Sequence, residues 1–291
     1  LKKRDMLRPK LVKPRGILHH GVEPGVPGYG RYWPADDLAP FVEHFWTVAW
    51  DVAEPEVHEV LPHPSVHLVL EEGNSRVAGV PTGRFIRRLE GRGRVLGTKF
   101  RPGGFRPFLG RAVSGLTDRT VPLDEIFGPA GLELETRALA CADPLAGFEI
   151  VQGFLRGLDP VPDPTVELVG RIAERAATDR DITRVDHLVK AFGLGTRKLQ
   201  RLFDEYVGVT PKWIIQRYRL HEAAERIAAG TATDGATLAQ DLGYADQAHF
   251  IRDFKKLVGS SPAEYARAFR ASAASTPTTP SGSPTDRGIG A

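Results

Sequence analysis

Two short stretches of the chain, 51 residues apart, repeat one pattern. In the first, Leu199, Arg201 and Phe203 are followed by Gly208 and Pro211. In the second, Phe250, Arg252 and Phe254 are followed by Gly259 and Pro262. The polar residues between and before the apolar ones are of the types that read base-pair edges: Arg197, Gln200 and Arg201 in the first copy, Gln247, His249 and Arg252 in the second. A guanidinium can donate two hydrogen bonds to guanine O6 and N7, and a carboxamide matches adenine N6 and N7. Thr196, Lys198, Lys255 and Lys256 stand beside them and suit phosphate oxygens, which position a protein on the duplex without reading its sequence.

Such side chains need rigid elements to aim them, and the flanking periodicity supplies these. Val185, Leu188, Val189 and Phe192 make an apolar stripe at i, i+3, i+4, i+7, which predicts a helix. Gly193 to Gly195 breaks it, and a second helix runs from Thr196 to about Val207 with Leu199, Leu202, Phe203 and Tyr206 inward. Gly208 ends that helix and Pro211 opens the next at its first turn. In the second copy Asp234 is a candidate N-cap and Leu238, Ala239 and Leu242 face inward. Gly243 to Ala245 form the turn, and the following helix buries Phe250, Ile251, Phe254 and Leu257. Two helices joined by a tight glycine-containing turn are the unit whose second helix enters the major groove. Between the copies, Pro211–Ala229 reads as a connector helix through Trp213, Ile214, Arg217, Leu220, Ala224 and Ile227. If it holds both readers to one side of a duplex, they meet successive major grooves about 34 Å apart. One basic helix face is as readily a solvated surface. Two matched copies argue for a supersecondary unit used twice.

These residues carry a resemblance. Residues 166–270 resemble the DNA-binding domain of the AraC/XylS family of bacterial transcription regulators, through Leu199–Phe203, Gly208–Pro211, Arg219 with Leu220 and Ala223, and Leu242–Phe254 with Gly259–Pro262 and Tyr265. The resemblance implies seven helices in two helix-turn-helix units and a connector. Arg184 and Gly195 depart from the usual Ser-type cap, Val189 from Ala, and Gly235 from an apolar residue. Residues 14–128 resemble the N-terminal domain of one branch of that family. The carrying residues are Arg31 to Pro34, Leu38 to Trp46, Leu61 with Pro62, and Gly97 to Phe105. That implies a cupin-like β-barrel that senses a small molecule or dimerises, in a branch whose effector is generally not known.

Composition is consistent with this division. Residues 1–165 hold 21 Lys+Arg against 21 Asp+Glu, whereas residues 166–270 hold 17 against 14, so the positive excess sits where the repeat sits. One cysteine, Cys141, excludes an intramolecular disulfide framework and a multi-cysteine zinc site. It is expected to be a buried bystander. No apolar run reaches the length of a membrane span, and no secretory signal is visible, so a cytoplasmic protein is expected. From about Lys13 to Pro129 short apolar runs at Phe45–Trp50, Val66–Leu70 and Val95–Phe100 alternate with turns at Gly73, Thr82–Gly83 and Pro102–Gly104, which predicts a small antiparallel sandwich or barrel. Leu38–Trp46 fits a helix or a strand.

Other constellations are weaker. His58, His63, His67 and Glu71 are of metal-ligating types. However, His63 and His67 on one extended strand would lie about 13 Å apart, too far for one ion. Arg84, Arg87, Arg88, Arg92 and Arg94, echoed by Lys99, Arg101 and Arg106, could hold an anion, but read more simply as a solvated loop interleaved with glycine. The four tryptophans and Phe100, Phe105 and Phe108 are expected in the core. No G-x-S-x-G, H-E-x-x-H or phosphate-loop pattern occurs, so no catalytic set, metal or cofactor is expected. The expectation is an α+β multidomain chain. It has a basic N-terminal arm (1–13), a β-rich sensing or dimerisation domain (14–129) and a helical and Pro-rich linker (130–165). An all-α tandem helix-turn-helix domain (166–270) and a disordered tail (271–291) follow. Its partners would be double-stranded DNA, a small-molecule effector, a second copy of itself, and RNA polymerase if it activates. The competing readings are a cupin-type metal-dependent enzyme with a DNA-binding appendage, and a ligand-independent DNA-binding dimer.

Overall fold

The computed structural model describes residues 29–232 and 234–274. The basic arm, residues 14–28 of the β-rich region and residues 275–291 of the tail lie outside the described residues. The first half of the chain forms strands β1 (Gly30–Tyr32), β2 (Val42–Val60), β3 (His67–Leu70), β4 (Arg76–Ala78) and β5 (Phe85–Phe100), a short helix α1 (Arg106–Leu109), a 3-10 turn at Val113–Leu116, and β6 (Thr120–Pro122). The strands make one antiparallel sheet in the order β1-β2-β5-β3-β4-β6. The ladder ends at β1 and β6, which do not pair with each other among the described residues, so hydrogen bonds do not close it into a barrel. A bulge between Val52 and Glu56 interrupts the β2–β5 ribbon. Beyond it Arg87 pairs with Glu71, just past β3, which brings the far half of the ribbon back toward the sheet. The segment Leu38–Trp46 divides. Leu38 and Phe41 sit in a hydrogen-bonded turn, and the strand begins at Val42.

Pairing register decides which side chains share a face, because residues directly opposite one another project the same way. Phe45, Thr98, Leu68 and Val77 form one row across four strands, and Thr47, Leu96 and Leu70 the next. All are buried. Helices α2 (Leu123–Phe127), α3 (Pro129–Leu139) and α4 (Pro144–Gly157) follow, and α3 and α4 cover this face. In α4 the residues Phe148, Val151, Gln152 and Leu155 recur at i, i+3, i+4, i+7 and are buried. Phe148 lies 5.1 Å from the Phe45 ring and 5.2 Å from that of Tyr32. The buried Gln152 accepts the Ala35 N–H at 2.9 Å. Most of the stretch read from the sequence as a linker is therefore helix packed on the sheet, and only Ala140–Asp143 and Leu158–Asp163 pass between helices without helical structure.

The helical half comprises α5 (Pro164–Thr178), α6 (Val185–Phe192), α7 (Thr196–Tyr206), α8 (Pro211–Ala228), α9 (Gly235–Asp241), α10 (Gln247–Val258) and α11 (Pro262–Ala274). Its first unit shares a continuous core with the sheet, running from Phe45 and Phe148 through Val169, Ile172 and Leu188 to Leu199, Phe203 and Ile214. A second core gathers Leu220, Ala223, Leu238, Leu242, Phe250, Phe254 and Tyr265 around the second unit, and Leu61 of the N-terminal half belongs to it.

Candidate nucleic-acid interface

In the first unit α6 ends at Gly193 in the left-handed conformation, and α7 begins after Gly195, which caps without a side chain. Leu199 and Phe203 are fully buried, and Leu202 and Tyr206 half-buried. The opposite face carries Thr196, Arg197, Lys198, Gln200 and Arg201, all exposed. In the second unit Asp234 caps α9 by accepting the N–H groups of Ala236 and Thr237, both at 2.8 Å. Asp246 caps α10 by accepting the His249 N–H at 2.7 Å. The sequence reading missed the Asp246 cap, although an aspartate just before an apolar-periodic helix is a start signal. Phe250, Phe254 and Leu257 are buried and Ile251 half-buried, while Gln247, Arg252, Lys255 and Lys256 are exposed.

Helices α7 and α10 end alike in backbone as well as in sequence. Gly208 and Gly259, 51 residues apart, both take positive φ, +88° and +84°. Among the described residues Arg197, Lys198, Arg201, Arg252, Lys255 and Lys256 form no ion pair. Several arginines elsewhere in the helical half, Arg171, Arg175, Arg180, Arg219 and Arg226, are held by carboxylates. Unpaired long cations on an outward helix face are free to meet phosphate or a base edge.

Two expected readers are less free. His249 is half-buried rather than exposed. Its ring packs edge-on against Tyr244 at 5.3 Å and its Nε2 lies 3.4 Å from Asp253. The Gln247 amide is turned back over Gly235, where a Cβ would stand 2.6 Å from its nitrogen.

The connector α8 carries buried polar residues. Arg219 donates to Ala176 O at 2.8 Å at the end of α5 and pairs with Glu222 at 2.8 Å. Arg217 stacks over Trp213 at 4.5 Å and donates to Thr82 O of the N-terminal half at 2.9 Å. Burial pushes its guanidinium down to about 10. Further bonds tie the halves together. Arg106 holds Glu205 at 2.6 Å, Thr117 donates to Gly208 O, and His221 Nε2 lies 3.2 Å from Pro62 O with the His63 ring 4.8 Å from its own. The N-terminal half thus touches both helix-turn-helix units and the helix between them.

The remaining constellations separate. His58 pairs with Glu56, His63 packs on His221 ahead of β3 rather than on it, His67 accepts from Trp46, and Glu71 holds Arg76 and Arg87. Among the described residues no group of three or more His, Cys, Asp or Glu is placed to hold a metal ion. The basic run is strand β5, not a loop. Arg84 pairs with Glu59, Arg87 with Glu71 and Arg88 with Glu90, and Arg94 donates to carbonyls at the end of α3. Cys141 is half-buried, its thiol 3.5 Å from Arg137 O. Phe100 and Phe105 are core as expected and Phe108 is half-buried. Of the tryptophans, however, Trp33 is exposed and Trp46, Trp50 and Trp213 are half-buried. No described helix is long and apolar enough to cross a membrane.

Residues 188–268 match a family described as "Helix-turn-helix domain", and residues 30–122 match a "Domain of unknown function (DUF6597)". No curated protein matches the chain. Among solved structures, the xylose-binding transcription activator XylR is 21% identical over 43% of this chain and 39% of its own, with a TM-score of 0.29. A point variant of ToxT from Vibrio cholerae, in its apo form, is 14% identical over 77% of this chain and 97% of its own, with a TM-score of 0.34. Wild-type ToxT bound to an unsaturated fatty acid is 13% identical over 76% and 90%, with a TM-score of 0.32. At TM-scores this low none of these likenesses bears on how the regions of this chain are arranged.

Proposed function

From a C-terminal region that belongs to a helix-turn-helix family and carries the paired pattern of the AraC/XylS regulators, we propose that this protein is a sequence-specific DNA-binding transcription regulator that sets α7 and α10 into successive major grooves of one duplex. The observation that carries the reading is the repeat. Two helices with matching buried residues, matching terminal glycines and exposed, unpaired Arg201 and Arg252 sit at equivalent positions. Arg197, Gln200, Arg201, Gln247, His249 and Arg252 read bases, with Gln247 and His249 released from their present contacts on docking. Thr196, Lys198, Lys255 and Lys256 meet the backbone.

The N-terminal half, which contacts both units, sets their separation, and a small molecule bound there shifts DNA affinity by favouring one relative placement. The protein acts in the cytoplasm, pairs with a second copy on its operator, and contacts RNA polymerase where it activates. Mapping of occupied genomic sites for the wild type beside an Arg201→Ala/Arg252→Ala variant tests this. A bipartite motif with halves about one helical turn apart, absent for the variant, is the expected result. Sequence-independent occupancy indifferent to the substitutions would overturn the two-reader assignment.

A further inference from the structure

The sheet has a second face, and its composition is unlike that of a core. Pairing register places Arg31, Trp46, Gly97, Val69 and Arg76 in one row across β1, β2, β5, β3 and β4. His44, Lys99 and His67 form the next row, and Trp50 with Gly93 lies on the same side. This is the face turned away from Phe45, Leu68, Leu96 and Phe148. The two tryptophans lie over the two glycines of β5, where a Cβ would collide with each ring. Both indoles are anchored through their N–H groups, Trp46 to His67 Nδ1 at 3.3 Å and Trp50 to Glu90 O at 3.1 Å. Each is half-buried, so each offers a rigid aromatic plane backed by the strand on one side.

Charge on this face is not balanced within the described residues. Arg31, Lys99, Arg76 and Arg87 stand against Glu43, Glu71 and the exposed Glu56 at the far end of the ribbon. Lys99 is buried and reaches only Glu43, at 3.0 Å, which also takes His44 at 3.4 Å. Arg31 Nε is buried with no acceptor, although the Arg31 side chain also reaches the Tyr29 hydroxyl at 3.2 Å. Burial holds both imidazoles below their usual range, His67 down to about 3, so neither adds nor cancels charge at neutral pH. A buried donor without an acceptor and cations in excess of carboxylates are both relieved by an incoming anion.

We infer that this face binds a small planar aromatic anion, its ring stacked on Trp46 and its carboxylate or equivalent group at Arg31 and Lys99. The inference rests on the reading of the N-terminal half as an effector-sensing region and supplies the chemical class of that effector. Tyr218 of α8 is half-buried, with Glu43 close enough for its charge to be felt. Occupancy of the face therefore borders the helix that joins the two readers.

The test is calorimetric titration of the full chain with benzoate and indole-3-acetate, beside benzamide as a ring without charge and acetate as a charge without a ring. DNA affinity is measured on the same samples. Saturable binding of an aromatic carboxylate is expected, weakened about tenfold or more when either the charge or the ring is removed. Arg31→Gln and Lys99→Gln, each checked for a native circular-dichroism spectrum, are expected to weaken it about tenfold as well. Fluorine NMR of 5-fluorotryptophan-labelled protein should then shift the Trp46 resonance, assigned by Trp46→Phe. Failure of both aromatic carboxylates to saturate a chain that still binds DNA specifically would overturn the inference and leave the regulator reading standing. Binding indifferent to both substitutions would place the anion elsewhere and overturn it too. Binding that is lost in the variants yet leaves DNA affinity untouched would keep the site and remove its role as an effector site.

Discussion

Arg201 and Arg252 are exposed and without an ion pair, so removing either side chain should cost the folded protein little and its DNA complex more. Arg201→Ala is expected to lose about 1–3 kcal/mol of specific affinity and to relax one position of the site, because a bidentate contact to guanine discriminates by that amount. Affinities for a set of single-base operator variants check this, and an equal loss on every sequence would assign Arg201 to the backbone instead. Identity and spacing were enough to nominate these arginines, since an outward helix position needs no tertiary contact to be outward. His249 shows the limit. Its edge contact with Tyr244 and its approach to Asp253 depend on how the α9–α10 turn folds, and spacing alone placed it in solvent. His67 carries a pH dependence of the same tertiary origin. Its imidazole is pushed down to about 3 by burial, while the unfolded chain takes up the proton near 6.5. Between those values the unfolded state binds more protons, so stability falls as pH is lowered through that window. Glu43, held below its usual range by His44 and Lys99 despite burial, acts in the same direction at the acid end. Urea denaturation at neutral and mildly acid pH should show the decline, with a shallower slope for His67→Gln. A parallel slope would remove His67 as its source.

Helices α7 and α10 were legible down to their C-terminal ends, because apolar period, glycine terminator and following proline agree at each. Gly208 does more than end α7. Its φ of +88° lies where a side chain is strained, and a Cβ there would stand 2.8 Å from Thr117 Oγ1 of the N-terminal half. Gly208→Ala is expected to lose about 1–2 kcal/mol from backbone strain alone, with a further loss from that clash. The equivalent Gly259→Ala would crowd only the Arg84 guanidinium, the end of a flexible side chain, and should cost less. Thermal melts of the two variants check the order. Strand β5 was visible in advance only over Val95–Phe100. Its first part, rich in glycine and arginine, read as a loop, and only pairing with β2 shows that the glycines make room for Trp46 and Trp50 while Arg87 meets Glu71 and Arg88 meets Glu90.

Across the whole molecule, one core joins the sheet to the first helix-turn-helix unit, and Leu61 reaches from the segment before β3 into the core of the second. The sheet and the first unit should therefore unfold in one transition, and a calorimetric scan that resolves them into separate steps would contradict the shared core. Leu61→Ala is expected to destabilise the second unit by about 2–5 kcal/mol, as for other buried leucines. It should also loosen the fixed spacing of the readers, seen as a weaker preference for correctly spaced half-sites. The sequence by itself determined helices α6 to α10, their repeat and the outward position of the basic residues on α7 and α10. All of these follow from local periodicity and capping within a span of a dozen residues. Tertiary structure decided what local pattern cannot encode: strand register, which puts Arg31, Trp46, Lys99 and His67 on one face, the docking of α3 and α4 onto the sheet, and the contacts of Thr82, Pro62 and Leu61 with the helical half. Each joins residues far apart in the chain, whose meeting is set by packing and pairing energies rather than by the preferences of either segment.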